Sequence, residues 1–175
     1  MIEISELIKY RRSIRKFLPQ VVEPAKIDTL LKSALMAPTS KNSRSWEFVV
    51  VDDAGLLQKL SLSRPMGSTL IANAPLAIVV LADPSKSDCW LEDASIASAF
   101  LQLQAQDLGL GSCWVQVARR PHNDDTTAEQ YIRELLQIPE EMNVVNVIAI
   151  GYKDEERRPY DEAKLANDKI HRNQF

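Results

Sequence analysis

The spacing of apolar residues predicts five helices along the chain. In each segment apolar side chains recur at three- and four-residue intervals, which places them on one helical face. Pro24 suits a first helical turn, and Pro38 stops the same helix. Thr126 and Glu129 form a capping-box pattern before the last segment, and Gly109 suits the C-terminal cap of the longest one. The longest segment is apolar on two sides, which is typical of a central helix. The predicted helices cover residues 2–10, 24–37, 54–62, 89–108 and 127–137.

Four apolar runs rich in β-branched residues predict strands. The first run, Glu47–Val51, is nearly continuous and therefore predicts burial on both faces. Pro75 precedes the second run, and Asp83-Pro84 ends it through turn chemistry. The predicted strands are 47–51, 76–81, 111–117 and 144–150. Because the strands alternate with helices, we expect an α/β or α+β domain built on one buried sheet.

Composition narrows the class of protein. A chain of 175 residues with 45% hydrophobic and 26% charged residues is typical of one globular domain, and it excludes global disorder. The longest apolar run, Leu76–Ala82, is far shorter than the roughly 20 residues that span a bilayer, and the N-terminus lacks the apolar core of a signal peptide, so we expect a cytoplasmic protein. A net charge of −3 gives no overall field for nucleic acid or anionic lipid. Any anion site must therefore be built locally.

Few residues offer catalytic or metal-binding chemistry on their own. Cys89 and Cys113, with His122 and His171, are too few for a disulfide framework or a typical zinc site. Cys113 lies in an apolar strand and is interpreted as a small buried hydrophobe, and His122 lies in a polar surface loop. The chain also lacks a nucleophile elbow, a metalloprotease helix motif and a phosphate-binding P-loop. A catalytic function would therefore depend on a bound cofactor.

Two polar segments point to a phosphate-bearing ligand. The run Arg11–Arg15 contains three arginines and a serine, and guanidinium groups match phosphate geometry bidentately. The alternative is a solvated basic helix end, which the helix dipole favours. The loop Pro38–Trp46 is rich in side-chain donors and acceptors and joins a helix to a strand, as binding loops often do. Its alternative is an ordinary connection whose side chains serve their own backbone.

The C-terminal residues 153–175 differ in composition from the rest of the chain. They are dense in charged residues and hold few large apolar ones, so they cannot form a core alone. Such a segment is either disordered or lies along another surface, and the terminal Phe175 favours the second interpretation. We therefore expect a main domain of residues 1–152 followed by an extension of residues 153–175.

Taken together, four segments resemble the flavin-dependent nitroreductase family. They are RRSIRKF, APTSKNSRSWEFVVV, GLGSCWVQV and VIAIGY, and they cover nearly the whole chain in the family's order. The resemblance implies an α+β fold with a central, mostly antiparallel sheet flanked by helices. It also implies FMN bound in residues 1–152 at a homodimer interface, and an extension of residues 153–175 that crosses to the partner subunit and adds to its sheet.

The resemblance carries the family's Arg-x-Ser-x-Arg/Lys motif onto Arg11, Arg12, Ser13 and Arg15. Arg11 and Ser13 would hold the phosphate end of FMN. Arg15 would approach the pyrimidine edge of the flavin, where a fixed cation stabilises the negative charge that develops as the ring accepts hydride. No residue of the chain is expected to act as a separate nucleophile or general acid.

The family's Pro-Ser-x-x-Asn loop falls on Pro38, Thr39, Ser40 and Asn42. In relatives this loop reaches the flavin from the other subunit, so the site would need a dimer. The sequence departs from the common pattern because Thr39 replaces a serine, and Arg44 and Ser45 stand where Gln and Pro commonly precede the tryptophan. An extra arginine near the flavin would favour an acidic acceptor or shift the redox potential.

Two further segments complete the site that the resemblance implies. Backbone groups near Trp114, Val115 and Gln116 would lie close to the reactive edge of the flavin. In the tail, Lys169 and His171 are the expected phosphate contacts. The alternatives are Arg157 and Arg158.

The function implied by the resemblance is that of an NAD(P)H-dependent FMN oxidoreductase. Hydride would pass from NADH or NADPH to FMN, and then by a ping-pong mechanism to a nitroaromatic, quinone or similar small acceptor. One alternative is a flavin-binding redox sensor or carrier without turnover. Another is a specialised flavin reaction such as dehalogenation or aromatisation. The expected partners are a second copy of the chain and a small-molecule acceptor, with no nucleic acid and no membrane.

Overall fold

The computed structural model describes residues 3–175, in which five α-helices surround a four-stranded sheet. The predicted elements are all found, with ends that differ by at most two residues; position 2, the predicted start of the first helix, lies outside the described residues. The helices are α1 (Ile4–Tyr10), α2 (Pro24–Leu35), α3 (Ala54–Leu60), α4 (Trp90–Asp107) and α5 (Ala128–Leu136). The strands are β1 (Trp46–Val51), β2 (Leu76–Ala82), β3 (Leu110–Gln116) and β4 (Asn143–Tyr152).

The sheet has the strand order β1-β2-β4-β3, and every neighbouring pair is antiparallel. This confirms the predicted α+β class with a central antiparallel sheet. β4 continues two residues beyond its predicted end, so that Gly151 and Tyr152 pair with Gly111 and Leu110 at the start of β3. The two outer strands are therefore β1 and β3.

The sheet separates two apolar layers. Alternate residues of β2 point to opposite faces: Ala77 and Val79 pack in the layer with α3 and α5, while Ile78 and Val80 pack in the layer with α2 and α4. Every residue of β2 is buried. A strand covered on both faces needs a continuous apolar run, which is why its sequence shows no alternation.

β1 does not follow the prediction of burial on both faces. Trp46 and Val51 are buried at its ends, but Glu47 is exposed and Val50 is 37% exposed. β1 is an edge strand that pairs only with β2. Its β-branched residues therefore reflect the conformational preference of a strand rather than full burial.

α4 is a central helix, as its apolar residues on two sides predicted. It packs against α1, α2 and all four strands. One face, which includes Ala97 and Leu101, is buried against the sheet. On the other face, Ile96 and Phe100 are 38% and 36% exposed, so this second apolar side lies uncovered in a single chain.

The capping box of α5 lies one residue later than predicted. Thr127 Oγ1 accepts a hydrogen bond from the Gln130 backbone at 3.1 Å, and Gln130 Oε1 accepts one from the Thr127 backbone at 2.9 Å. Glu129 instead accepts from the Val144 backbone at 3.0 Å. Because Glu129 ties the helix to β4, it is not free to cap, and the prediction that paired it with Thr126 was wrong.

Candidate active site

The basic segment that follows α1 lies along the outer edge of β3. The Ile14 backbone N–H donates to the Ser112 carbonyl at 3.0 Å, and Ser13 forms a parallel bridge with Ser112. Ile14 is buried, whereas Arg15 is exposed. A Cβ at Gly111 would lie only 2.8 Å from Ile14 Cβ, so a glycine is needed for this close approach. The packing of Ile14 thus holds the polar residues on either side of it at the surface.

A small cavity of about 180 Å³ is built around this segment. Three guanidinium groups and two hydroxyl-bearing side chains face one space, and this donor set fits a phosphate. Arg157 comes from the segment that follows β4, so the cavity joins the two ends of the chain. The lining residues are Arg12, Ser13, Arg15, Arg157 and Tyr160.

Glu155, which does not line the cavity, contacts two of these arginines. Its Oε1 accepts from the backbone nitrogens of Arg15 at 2.5 Å and Lys16 at 3.3 Å, and its Oε2 lies 2.7 Å from Arg157 Nη2. The Arg15 hydrogen bond is the main reason that the pKa of Glu155 lies below its usual value, and the charge of Arg157 adds to the effect. Sequence analysis missed Glu155, since one acidic residue in a charged tail is not a distinctive signal.

Arg11 does not lie where a phosphate contact was expected, whereas Arg12 does. Arg11 caps the C-terminus of α1, and its Nη1 lies 3.5 Å from Gln102 Oε1 on α4, outside the 180 Å³ cavity. Arg12 lines that cavity; its guanidinium lies 4.6 Å from the Tyr160 ring centroid and donates to the Arg158 carbonyl. Attraction to the ring and the carbonyl draws Arg12 toward the tail. The structure therefore places Arg12, rather than Arg11, at the candidate phosphate position.

The first part of the tail lies against α1. The Tyr160 backbone donates to the Lys9 carbonyl at 3.0 Å, and Lys9 Nζ lies 2.8 Å from Glu162 Oε1. Lys169 and His171 lie farther along and are exposed, and His171 stacks on Phe175 at 4.2 Å between ring centroids. The structure does not bring Lys169 or His171 to the basic cavity of their own chain. The alternative residue Arg157 is the one that lines it.

The second half of β3 leaves part of its outer edge open. The Ser112 carbonyl faces outward to Ile14, and the alternation of an antiparallel ladder turns the peptide groups of Trp114 and Gln116 to the same side. The Gln116 carbonyl already accepts from Arg64 Nη1 at 3.1 Å. The backbone of Val115 is turned to β4, and its side chain lies in the core. Val115 therefore offers nothing at this edge, contrary to expectation, whereas Trp114 and Gln116 can reach it.

A buried carboxylate anchors the polar loop that precedes β1. Asp93, in the first turn of α4, is 3% exposed; its Oδ1 accepts from the Ser40 backbone at 2.9 Å and its Oδ2 from Ser43 Oγ at 3.2 Å. Ser87 Oγ donates to the same Oδ2 at 3.3 Å. Sequence analysis counted position 93 only as part of a helix. The contacts of Asp93 span about 50 residues in sequence, and helical periodicity carries no information on them.

The rest of this loop is held in an unusual backbone conformation. Lys41, Asn42 and Arg44 have φ values of 52°, 55° and 49°, a left-handed region that is costly for residues with a Cβ. Thr39 Oγ1 accepts from the Arg44 backbone, and Asn42 Oδ1 accepts from Arg44 Nε. Some of its polar side chains thus serve the loop itself, the alternative that the sequence left open. Pro38 and Asn42 are exposed.

One chain does not bring the loop and the basic cavity together. Asp93 fixes the loop at the start of α4, whereas Gln102 contacts the basic segment nine residues later. At a rise of 1.5 Å per residue these contacts are about 13 Å apart along the helix. The loop and the basic segment of one chain are therefore held at separate points along α4, with Arg11 of that segment at the Gln102 end.

Other candidate chemistry is limited. Cys113 is 2% exposed, and burial raises the pKa of its thiol, which confirms the interpretation of a buried hydrophobe. The His122 ring stacks on Tyr131 at 4.3 Å between centroids.

Within residues 3–175, no group of three or more His, Cys, Asp and Glu residues is arranged to hold a metal ion. Over the same range no helix has both the length and the apolar character needed to cross a bilayer.

Comparison with known proteins places this geometry in a family. The family model described as "Nitroreductase family" matches residues 8–63 and 58–152. A relative from Archaeoglobus fulgidus, named "Putative NADH dehydrogenase/NAD(P)H nitroreductase", is 37% identical over all of both chains. A second relative of that name, from Methanothermobacter thermautotrophicus, is 36% identical over 97% of this chain and 86% of its own length.

A solved structure gives the same result. The structure of an FMN-dependent nitroreductase from Clostridium difficile R20291 matches with a TM-score of 0.95 and 50% identity. The match covers 97% of this chain and 98% of the other. Since both the family model and the relatives extend over most of the sequence, the chain described here belongs to the nitroreductase family.

Proposed function

We propose that this protein is an FMN-dependent oxidoreductase that takes hydride from NADH or NADPH and passes it to a nitroaromatic, quinone or similar small acceptor. The basic cavity beside the open edge of β3 carries this proposal. Its guanidinium and hydroxyl groups suit a phosphate, and they lie next to a strand edge that can run along a flat ring system. The Clostridium difficile relative at 50% identity, described as FMN-dependent, supports the same cofactor.

The charges of the cavity suit the phosphate end of FMN. Arg12, Arg15 and Arg157 contribute three positive charges, and the adjacent Glu155 removes one. The balance of about +2 matches a phosphate monoester of about −1.5 to −2 near neutral pH. Ser13 adds a hydroxyl donor. Arg15, which is exposed next to the buried Ile14, is proposed to extend from the phosphate toward the ring.

The site is completed by a second subunit. Within one chain the loop of Pro38, Thr39, Ser40 and Asn42 is held about 13 Å along α4 from the basic segment, so the loop is proposed to serve the flavin of the partner. A groove of about 710 Å³ between α1, α4 and the tail, lined in part by Ile8, Leu103 and Leu165, offers apolar surface for the interface. The exposed Phe100 extends it.

The chain is divided by these roles into a flavin-binding domain of residues 1–152 and an extension of residues 153–175. The extension first supplies Arg157 and Tyr160 to its own basic cavity. Beyond Leu165 it is exposed and is proposed to cross to the partner subunit, where Lys169 and His171 would lie near the second site. The edge strand β1 is proposed to receive it.

FMN, when bound, supplies the hydride-accepting and hydride-donating chemistry that the side chains lack. The chain orients the ring between the β3 edge and the partner's loop, and Arg15 offsets the negative charge that develops on reduction. The nicotinamide and the acceptor are proposed to use the same cleft in turn, which gives ping-pong kinetics. The donor preference and the physiological acceptor are set by groups around this cleft.

The test is an anaerobic visible spectrum of the FMN-saturated protein before and after addition of NADH and then NADPH. Bleaching of a bound flavin by either nucleotide supports the proposal. A perturbed flavin spectrum that neither nucleotide bleaches would identify a binding module without turnover, and no perturbation would refute flavin binding. Arg15→Ala should weaken FMN binding or slow its reduction, whereas Lys32→Ala, an exposed lysine on α2, should leave both within about twofold.

A further inference from the structure

A second group of arginines lies at the far end of β3, away from the proposed phosphate cavity. Arg64, in the loop after α3, donates from Nη1 to the Gln116 carbonyl at 3.1 Å. Arg119 and Arg120 lie three and four residues beyond Gln116, the last residue of β3, and Arg119 takes a left-handed φ of 62°. Arg64 is half-buried, and the other two side chains are exposed. We call these residues the distal arginine cluster.

The cluster lacks acidic partners at salt-bridge distance. Seven other lysines and arginines of the described chain lie within 4.0 Å of a carboxylate, but Arg64, Arg119 and Arg120 do not. Asp124 and Asp125 border a cavity of about 280 Å³ with Arg119 and Arg120 without reaching this distance. Burial, and next the charge of Arg120, lower the pKa of Arg64. Arg119 and Arg120 line the same cavity, and Arg64 is anchored at Gln116, four residues before Arg120. Guanidinium groups without counter-ions favour binding of an anion.

The position of the cluster relates it to the proposed flavin. The outer edge of β3 is bonded to Ile14 at Ser112 and to Arg64 at Gln116, with Trp114 between them. These four residue steps span about 13 Å at roughly 3.3 Å per residue. Cationic groups therefore stand at both ends of the strand edge, with the basic cavity at one end and the distal cluster at the other.

We propose that Arg64 and Arg120, assisted by Arg119, bind a phosphate or carboxylate group of the substrate that enters beside the flavin. The inference rests on the proposed function and names the class of substrate, an anionic one. The anion has two possible sources: a phosphate of the nicotinamide nucleotide, or the acid group of an acceptor. The hydrogen bond from Nη1 to Gln116 leaves the other guanidinium donors of Arg64 for this anion.

The first experiment measures binding without turnover. FMN-loaded protein is titrated with NADP⁺, NAD⁺ and 4-nitrobenzoate, followed by the change in tryptophan and flavin fluorescence. Arg64→Gln and Arg120→Gln should each weaken binding of at least one of these three anions by at least fivefold, and the affected anion should be the same in both variants. Arg64→Lys should retain part of the affinity, and Lys32→Gln, which removes one positive charge elsewhere, should change it less than twofold.

Steady-state kinetics then identify the source of the anion. A rise in KM for NADPH, with KM for NADH and for 4-nitrobenzoate unchanged, assigns the cluster to the extra phosphate of NADPH. A rise for 4-nitrobenzoate, with KM for neutral nitrobenzene unchanged, assigns it to the acceptor. Unchanged binding and KM in both glutamine variants, or equal changes for charged and neutral substrates, would overturn the inference.

The outcomes separate this inference from the proposed function. If the wild-type protein binds FMN but no nucleotide reduces it, the proposed function fails, while the fluorescence titration still tests the anion site. If the wild type turns over normally and the variants bind every anion as tightly as it does, only the inference fails. Arg120 is exposed, so Arg120→Gln keeps the test valid even where Arg64→Gln unfolds the loop. Circular dichroism and the Tm of each variant check the fold.

Discussion

The Oε1 atom of Glu155 accepts a hydrogen bond from the backbone nitrogen of Arg15 at 2.5 Å, across 140 positions of sequence. This contact fixes the end of the β4 segment onto the segment that follows α1. Because the other carboxylate oxygen lies 2.7 Å from Arg157, one side chain positions two of the three cavity arginines. Glu155 is thus proposed as a positioning residue for the phosphate site, since it contacts two lining arginines without lining the cavity itself.

Glu155→Gln should weaken FMN binding about tenfold, because it replaces a charge-assisted contact to Arg157 with a neutral one. Fluorescence titration of free FMN gives the dissociation constant. Glu156→Gln, a change of the same kind at an exposed neighbour, is the matched control. Equal affinities of the Glu155 and Glu156 variants would show that Glu155 does not position the site.

The lowered pKa of Glu155 also predicts a pH dependence of stability. A carboxylate with a folded-state pKa below its unfolded value of about 4.3 stabilises the fold fully above that value, and this contribution is lost as the pH falls through the folded value. Urea unfolding between pH 6 and pH 3 should therefore show a smaller loss of stability in Glu155→Gln than in the wild type. An equal loss of unfolding free energy between pH 6 and pH 3 in both proteins would contradict this expectation.

Gly111→Ala should damage the basic cavity more than the fold. The new Cβ would lie 2.8 Å from Ile14 Cβ, which is attached directly to the backbone and cannot rotate away. The segment that carries Ser13 and Arg15 must then move off β3. We expect FMN affinity to fall at least tenfold with a native-like circular dichroism spectrum. In Gly55→Ala, where the added Cβ would meet only Asp53 Oδ1 at 3.2 Å, FMN affinity should not change.

Asp93→Asn should loosen the loop before β1. The substitution keeps the shape of the side chain but removes the charge that accepts hydrogen bonds from Ser40, Ser43 and Ser87. The free energy of unfolding should fall by about 1–3 kcal/mol, since a buried charge-assisted bond is weakened. Urea denaturation measures this change. Glu92→Gln, on the exposed side of the same helical turn, should cost less than about 0.5 kcal/mol.

Mixing of subunits tests whether the site is shared. Asn42→Ala should impair the loop that is proposed to serve the partner's flavin, and Arg15→Ala should impair the flavin position proposed for its own chain. Neither variant alone should bind FMN tightly. When the two are unfolded together and refolded, each mixed dimer should regain one intact site, which combines Arg15 of one chain with Asn42 of the other. No recovery of FMN fluorescence quenching on mixing would refute the shared site.

The two thiols should differ in reactivity. Cys113 is 2% exposed and burial raises its pKa, so it stays a neutral thiol at pH 7 and should resist a maleimide. Cys89 is partly exposed and should react first. Mass spectrometry of the native protein should therefore show one fast modification, and Cys89→Ser should abolish it. Unfolding of the Cys89→Ser variant in urea should then allow the maleimide to modify Cys113. Rapid labelling of Cys113 in the folded protein would show that the β3 region opens.

The helices, the strands and the family follow from local features of the chain. Apolar periodicity located each helix and strand, because local spacing decides which side chains face a core. Four segments in the family's order, RRSIRKF, APTSKNSRSWEFVVV, GLGSCWVQV and VIAIGY, identified the nitroreductase family, since their residue types and order are carried by the chain itself.

Which residues meet in space depends on the folded chain. It made β1 an edge strand, placed Arg12 and Arg157 in the cavity in preference to Arg11 and the own chain's Lys169, and revealed Glu155 and Asp93 as anchors. These outcomes depend on contacts between segments far apart in sequence, such as the one between Glu155 and Arg15. A local pattern determines the face of a helix or strand on which a side chain lies. The residue that this side chain contacts in another segment is determined by how the layers pack.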